Sequence, residues 1–308
     1  MENNERRLIK PCLAAIAVLA VLFIAGTFAD EAISKAIFTP DSIPIKAVTS
    51  LGVLPYFFGV MLLFGSLTER TVHSSAPKAV RITVSVLLIA GVLFLGFIGG
   101  SSFVDRNCLG SIFPSLDRNR PVIAIVTVVL FYPFVIAGYR LAAKSEDVHL
   151  LKRLIVLFAV MLTAFAIMQT VKHVFSRPRY RTVVLGYEGV GFEPWYKPFA
   201  GAAEAMERFG IDKEEFRSFP SGHGILSFSS VYILQILTWY SAKLKEKRGV
   251  LLAAGLIFGS IIIITRVILG AHYVSDVTMG AMIALGLAIV FMVIQSKISD
   301  NSEDSTKE

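Results

Sequence analysis

Charge is scarce in this chain. Of its 308 residues only 17% are Asp, Glu, Lys or Arg, while 55% are hydrophobic and the mean hydropathy is +0.67. A soluble protein of this length needs far more charge to cover its surface, so the balance points to an integral membrane protein. Cysteine is scarcer still. Cys12 lies in an apolar run and Cys108 in a connecting segment, which excludes a disulfide framework and a Cys-rich metal site. Low-complexity sequence is missing apart from a polar tail over 297–308, read as disordered. The basic start resembles that of a signal peptide, but no small-residue cleavage site follows, so the first apolar run is expected to stay as a helix. The net charge of +7 and pI of about 9.4 would suit a nucleic-acid binder. Here the cations fall between apolar runs and not on one patch, which excludes nucleic acid as a partner.

Eight apolar runs are present, at Cys12–Phe28, Leu51–Leu67, Ile82–Gly100, Val122–Gly138, Leu154–Val171, Ile225–Tyr240, Val250–Ile264 and Val277–Ile294. With flanking residues each approaches the ~20 needed to cross a bilayer as a helix. Lipid offers backbone groups no partner, so the expected fold is all-α, a polytopic transmembrane bundle of about eight helices. The second run, with Pro55 and several glycines, is the least regular. With the N-terminus in the cytoplasm, the inner segments hold 16 of the 30 Lys and Arg residues, against five in the first two outer loops. The positive-inside rule therefore predicts a multi-pass cell-membrane protein with both termini cytoplasmic. The longest connection, 180–219, carries Trp195, Tyr196 and Phe199 and a short helical pattern near Ala202. It reads as a loop packed on the bundle mouth or as a lid, and both readings stay open.

Three short stretches hold the chemistry: Lys172 to Arg179, Pro220 to His223, and Thr265 to Asp276. The predicted topology puts all three on the outer face. Cations at helix ends near membrane depth normally have an anion to bind. His272 and Asp276 are four residues apart, so a helix places them on one face. A carboxylate there accepts the ring N–H and leaves the other nitrogen as a nucleophile, unless the two form only a buried structural pair. Arg266 precedes them across Gly270, and its planar fork suits phosphate oxygens. Ser221 and Gly222 open the sixth run, where a hydroxyl and a free N–H can both donate to an anion. His223 beside them is placed for proton transfer. Lys172 and Arg179 flank the end of the fifth run, while Arg177 reads either as an interface anchor or as part of the site.

The spacing of these stretches resembles the type 2 phosphatidic acid phosphatase superfamily of membrane lipid phosphatases. Its motifs run Lys-x6-Arg-Pro, Pro-Ser-Gly-His and Ser-Arg-x5-His-x3-Asp. The second is complete here, while Tyr180 replaces the proline of the first and Thr265 the serine of the third. The resemblance covers about 154–294 and implies a six-helix core, so that 81–296 would be the phosphatase core and 1–80 an N-terminal addition. It implies His272 as nucleophile, Asp276 as its orienting partner, and His223 as general acid and then base. Lys172, Arg179, Ser221, Gly222 and Arg266 would hold the phosphate, with no metal and no cofactor. Ser176, Tyr180 and Arg217 would line the mouth. The implied substrate is a lipid phosphate, with phosphatidic acid, phosphatidylglycerol phosphate and a polyprenyl pyrophosphate as candidates. A lipid phosphotransferase using the same site and a non-enzymatic anion transporter are the alternatives. A vanadate-dependent haloperoxidase shares the motifs by family, but those enzymes are soluble. Oligomeric state is not legible.

Overall fold

The computed structural model describes residues 4–304, and among them no strand occurs. The long helices follow the apolar runs: α1 (Ile9–Ile37), α2 (Leu54–Val72), α3 (Lys78–Val104), α4 (Tyr132–Ala143), α5 (Leu150–Phe175), α8 (Arg248–Ile268) and α9 (Val274–Asp304). Between α5 and α8 come the short helices α6 (Ala202–Phe209) and α7 (Gly222–Phe228). Seven helical stretches among the described residues are long and apolar enough to cross a membrane, which makes this a multi-pass protein.

The sixth apolar run is helical but broken. After α7 it passes through Ser230–Ile233, a 3-10 turn at Leu234–Ile236 and a last turn at Leu237–Tyr240. Ser229 donates to the Ile225 carbonyl, Ser230 to Ser227 and Thr238 to Gln235, so side chains compete for the oxygens that an uninterrupted helix would use. The path still traverses the bundle. Ser221 at its start bonds to Asp276, and Trp239 near its end accepts from Ser145 beyond α4. From Gly222 to Tyr240 the 18 helical residues and the turn residue Ser229 span roughly 28 Å, close to the ~30 Å of a hydrocarbon core.

Prolines and glycines shape the first half. In the second run Pro55 opens α2 after a 3-10 turn, where its missing N–H costs nothing. The fourth run begins as Arg120–Val126, widens to a π turn at Thr127–Phe131 and resumes as α4 at the proline Pro133, which cannot donate to the ladder. Where α2 crosses α4, a Cβ on Gly65 would come within 2.0 Å of the Val135 carbonyl, and one on Gly138 within 2.0 Å of the Leu62 carbonyl. Only glycine permits that approach.

α1 packs lengthwise on α9, yet exposes Val18, Val21, Leu22, Ile24 and Phe28, a face suited to lipid. α9 runs on through Asp304, past the start of the tail expected to be disordered, and residues 305–308 lie outside the described residues. The 180–219 connection has a small core of its own, Val190, Ala202, Ala205 and Phe216. Trp195 stacks on Phe219 at 5.3 Å and donates to Thr27 of α1. The connection is therefore packed on the bundle mouth.

Candidate active site

The three stretches meet at one end of the bundle. After Phe175 the chain turns at Ser176 (φ 43°) and runs extended through Arg179. There it lies beside 215–218: Arg179 N–H donates to Glu215 O at 2.9 Å, and Ser218 N–H to Arg177 O at 3.1 Å. This pairing carries the first stretch to the residues just before Pro220. Ser221 caps α7, its hydroxyl accepting from Gly224 N–H at 3.1 Å, while its own N–H donates to Asp276 O at 3.0 Å. Gly270 takes φ +61°, the left-handed conformation that turns α8 into α9 and returns His272 N–H to the Arg266 carbonyl.

His272, 1% exposed, has its Nδ1 2.8 Å from the Ser218 carbonyl. A carbonyl only accepts, so Nδ1 carries the hydrogen and Nε2 keeps the lone pair. The direct bond expected from Asp276 is not made, since Asp276 Oδ2 stands 3.8 Å from Nδ1. That carboxylate instead accepts from the Ser218 hydroxyl at 2.5 Å, Tyr273 N–H at 2.8 Å and Arg177 Nη1 at 2.5 Å. Ser218 thus links acid and imidazole, which no motif spacing could reveal. Burial holds the His272 ring well below the usual histidine range; Asp276 opposes the shift, and Arg266 and Arg179 add to it.

Lys172 reaches over Gly222 so closely that a Cβ there would lie 2.9 Å from its Nζ. Arg179 and Arg266 are 2% and 1% exposed. Neither they nor Lys172 has a carboxylate within ion-pair distance among the described residues. Arg179 donates to Glu214 O at 2.8 Å and Asn107 Oδ1 at 2.6 Å, and Arg266 donates to Asn107 O at 2.9 Å. The buried Arg266 Nε has no partner. His223 lies within electrostatic reach of Arg266, His272, Lys172 and Arg179, and its Nε2 is 3.2 Å from Cys108 Sγ. Asn107 and Cys108, from the connection after α3, are therefore part of this site although the sequence reading passed over them. Tyr180 is buried against Phe38 and Tyr273, and Arg217 pairs with Glu214 at 2.6 Å, so neither is free for an anion.

Arg177 is no interface anchor. It is 1% exposed, bridges Asp276 and Asp30 of α1, donates through Nε to Glu193 O, and stacks on the Tyr273 ring at 4.0 Å. Its isolated position in the sequence suited either reading; burial between two carboxylates decides it.

Two histidines inside a ring of unpaired cations is an arrangement for phosphate, and a family model described as the PAP2 superfamily matches residues 153–300. Residues 153–300 belong to the PAP2 superfamily. Members of that superfamily are phosphatases acting on phosphate esters, which supports phosphatase-type activity for this chain at family level. No curated protein and no solved structure matches the chain. The matched segment holds Lys172, Arg177, Arg179, His223, Arg266, His272 and Asp276, whereas Asp30, Asn107 and Cys108 lie before it.

Proposed function

We propose that this protein hydrolyses a phosphate monoester or pyrophosphate on a membrane lipid, through a phosphohistidine and without a metal ion. The observation that carries the reading is the cluster of positive charge: Lys172, Arg179 and Arg266 stand around the two histidines, and among the described residues none of them has a carboxylate within ion-pair distance, Glu214, Glu215 and Asp105 acting on them only from further off. Such a cradle offsets charge on phosphoryl oxygens where solvent is excluded. Ser221 hydroxyl and Gly222 N–H add donors of the kind an oxyanion takes.

In the first step the Nε2 lone pair of His272 attacks phosphorus, the P–O bond to the leaving group breaks, and His223 delivers a proton to the departing oxygen. In the second, His223 takes a proton from water, the new P–O bond forms as P–N breaks, and inorganic phosphate leaves. The ring of His272 becomes cationic between the steps, with Ser218 O and Asp276 beside Nδ1.

The basic-residue asymmetry supports an orientation with this end outside the cytoplasm. A cysteine introduced in 180–219, in a Cys108-replaced variant, is expected to react with a membrane-impermeant thiol reagent in intact cells. Labelling of 243–248 first would reverse the orientation. A transporter reading finds little support, because Ser229 and Ser230 are spent on backbone carbonyls and Ser260 faces outward.

The direct test is release of inorganic phosphate from a panel of lipid phosphates in detergent with chelator present. Wild type is expected to turn over and folded His272→Ala to be inactive. Retained activity in that variant would refute the nucleophile.

A further inference from the structure

Asp30 belongs to α1, well before the family segment, yet it is 2% exposed and bonded to the catalytic end. Its Oδ2 accepts from Arg177 Nη2 at 2.9 Å and from the Ser275 hydroxyl, and its Oδ1 accepts from Ser275 N–H at 3.0 Å. Ser275 is in the first turn of α9, so a residue from another helix caps the start of the helix that carries Asp276. The approach is close by design of the sequence: a Cβ on Gly26 would lie 2.8 Å from Ser275 N. A buried carboxylate in a membrane helix is costly unless something depends on it.

The charges say what depends on it. Arg177 alone against Asp276 would form a closed pair with no net charge, leaving little negative potential for the ring of His272. With Asp30 ionised, the trio is two carboxylates and one guanidinium, net minus one. Asp276 Oδ2, which carries part of that charge, stands 3.8 Å from His272 Nδ1, and both side chains are buried. We infer that Asp30 is a positioning residue of the phosphatase reaction, dividing Arg177 between two carboxylates so that Asp276 stays able to support the cationic phosphohistidine ring. The inference rests on the reading of His272 as nucleophile. It also gives the N-terminal helix a part in the chemistry of a site whose three motifs lie in the matched segment.

The test uses the full-length protein in detergent, with kcat and KM measured on a short-chain lipid phosphate and thermal unfolding as the check on folding. Asp30→Asn removes the charge and keeps the shape, and kcat is expected to fall about tenfold. KM should stay within about twofold, because Lys172, Arg179 and Arg266 are untouched. Asp30→Glu keeps the charge and should retain most of kcat. The double variant Asp30→Asn/Arg177→Gln restores the net minus one on Asp276 and should turn over faster than Asp30→Asn alone. A merely structural pin predicts the opposite order, since the double variant loses more bonds. Wild-type kcat in Asp30→Asn, or a double variant no faster than the single one, overturns the inference. If Asp30→Asn proves unstable, a folded Asp30→Glu variant with kcat reduced tenfold does so equally. His272→Ala in the same series separates the two levels. Activity kept there contradicts the nucleophile itself, whereas a dead His272→Ala beside a fully active Asp30→Asn rejects only the role of Asp30.

Discussion

At the end of the bundle away from the motifs, Arg153 has Asp147 at 2.9 Å, with Gln295 and Ser299 taking its other donors. Arg70 there donates to the carbonyls of Ala142 and Ser145 and lies 3.5 Å from Glu69. At the motif end Arg177, Arg181 and Arg217 are paired in the same way, with Asp30 and Asp276, Glu215 and Glu214. Three further cations there, Lys172, Arg179 and Arg266, have no carboxylate within ion-pair distance among the described residues, and Arg179 and Arg266 donate to neutral oxygens, Glu214 O, Asn107 Oδ1 and Asn107 O. The far end balances its buried charge and holds helices together. The motif end keeps an excess. Burying unpaired cations is costly, and that cost makes sense where an anion arrives to share it.

The contrast breaks most visibly through the surplus cations. Arg179→Lys and Arg266→Lys keep the charge but lose the planar fork, and each is expected to lower kcat/KM about a hundredfold or more. Arg153→Lys at the far end should lower the melting temperature while leaving kcat within about twofold. Comparable activity losses at both ends, read from phosphate release and melts on the same preparations, would erase the distinction.

Next in size is Arg177→Lys. An ammonium cannot bridge Asp30 and Asp276 as the fork does, so turnover should fall about tenfold in a folded protein. A mild effect would return Arg177 to the role of anchor.

The smallest effect concerns pH. Burial, reinforced by Arg266 and Arg179 against the pull of Asp276, keeps the His272 ring neutral to lower pH than an exposed histidine. A nucleophile must be neutral to attack, so activity is lost as pH falls through its lowered value. The acid limb of kcat/KM is expected below the ~6.5 of a free histidine. A limb at or above that value would mean that the positive surroundings do not act on His272.

Much of this was legible in residue order. The apolar runs marked the membrane helices, and the spacing around Ser221, His223, Arg266 and His272 singled out residues that the fold gathers at one end of the bundle. What escaped depends on packing between distant helices. Asp30 and Arg177 are 147 positions apart, and only the seating of α1 on α9 brings them together. Asp276 four residues after His272 looked like its hydrogen-bond partner, but Ser218, 54 positions upstream, offers a carbonyl at 2.8 Å and takes the bond. Asn107 had no local signal, being a polar residue in an ordinary connection. The breaks in the sixth run did have one, in Ser229, Ser230 and Thr238, whose hydroxyls return to their own helix.

The claim that the surplus charge serves phosphoryl transfer to His272 is tested most directly by quenching wild-type protein during turnover of a lipid labelled in its phosphate. The label is expected on the peptide carrying His272, lost in acid, stable in base, and absent in His272→Ala. Steady release of phosphate with no label on the protein, or label on any other residue, would contradict the account.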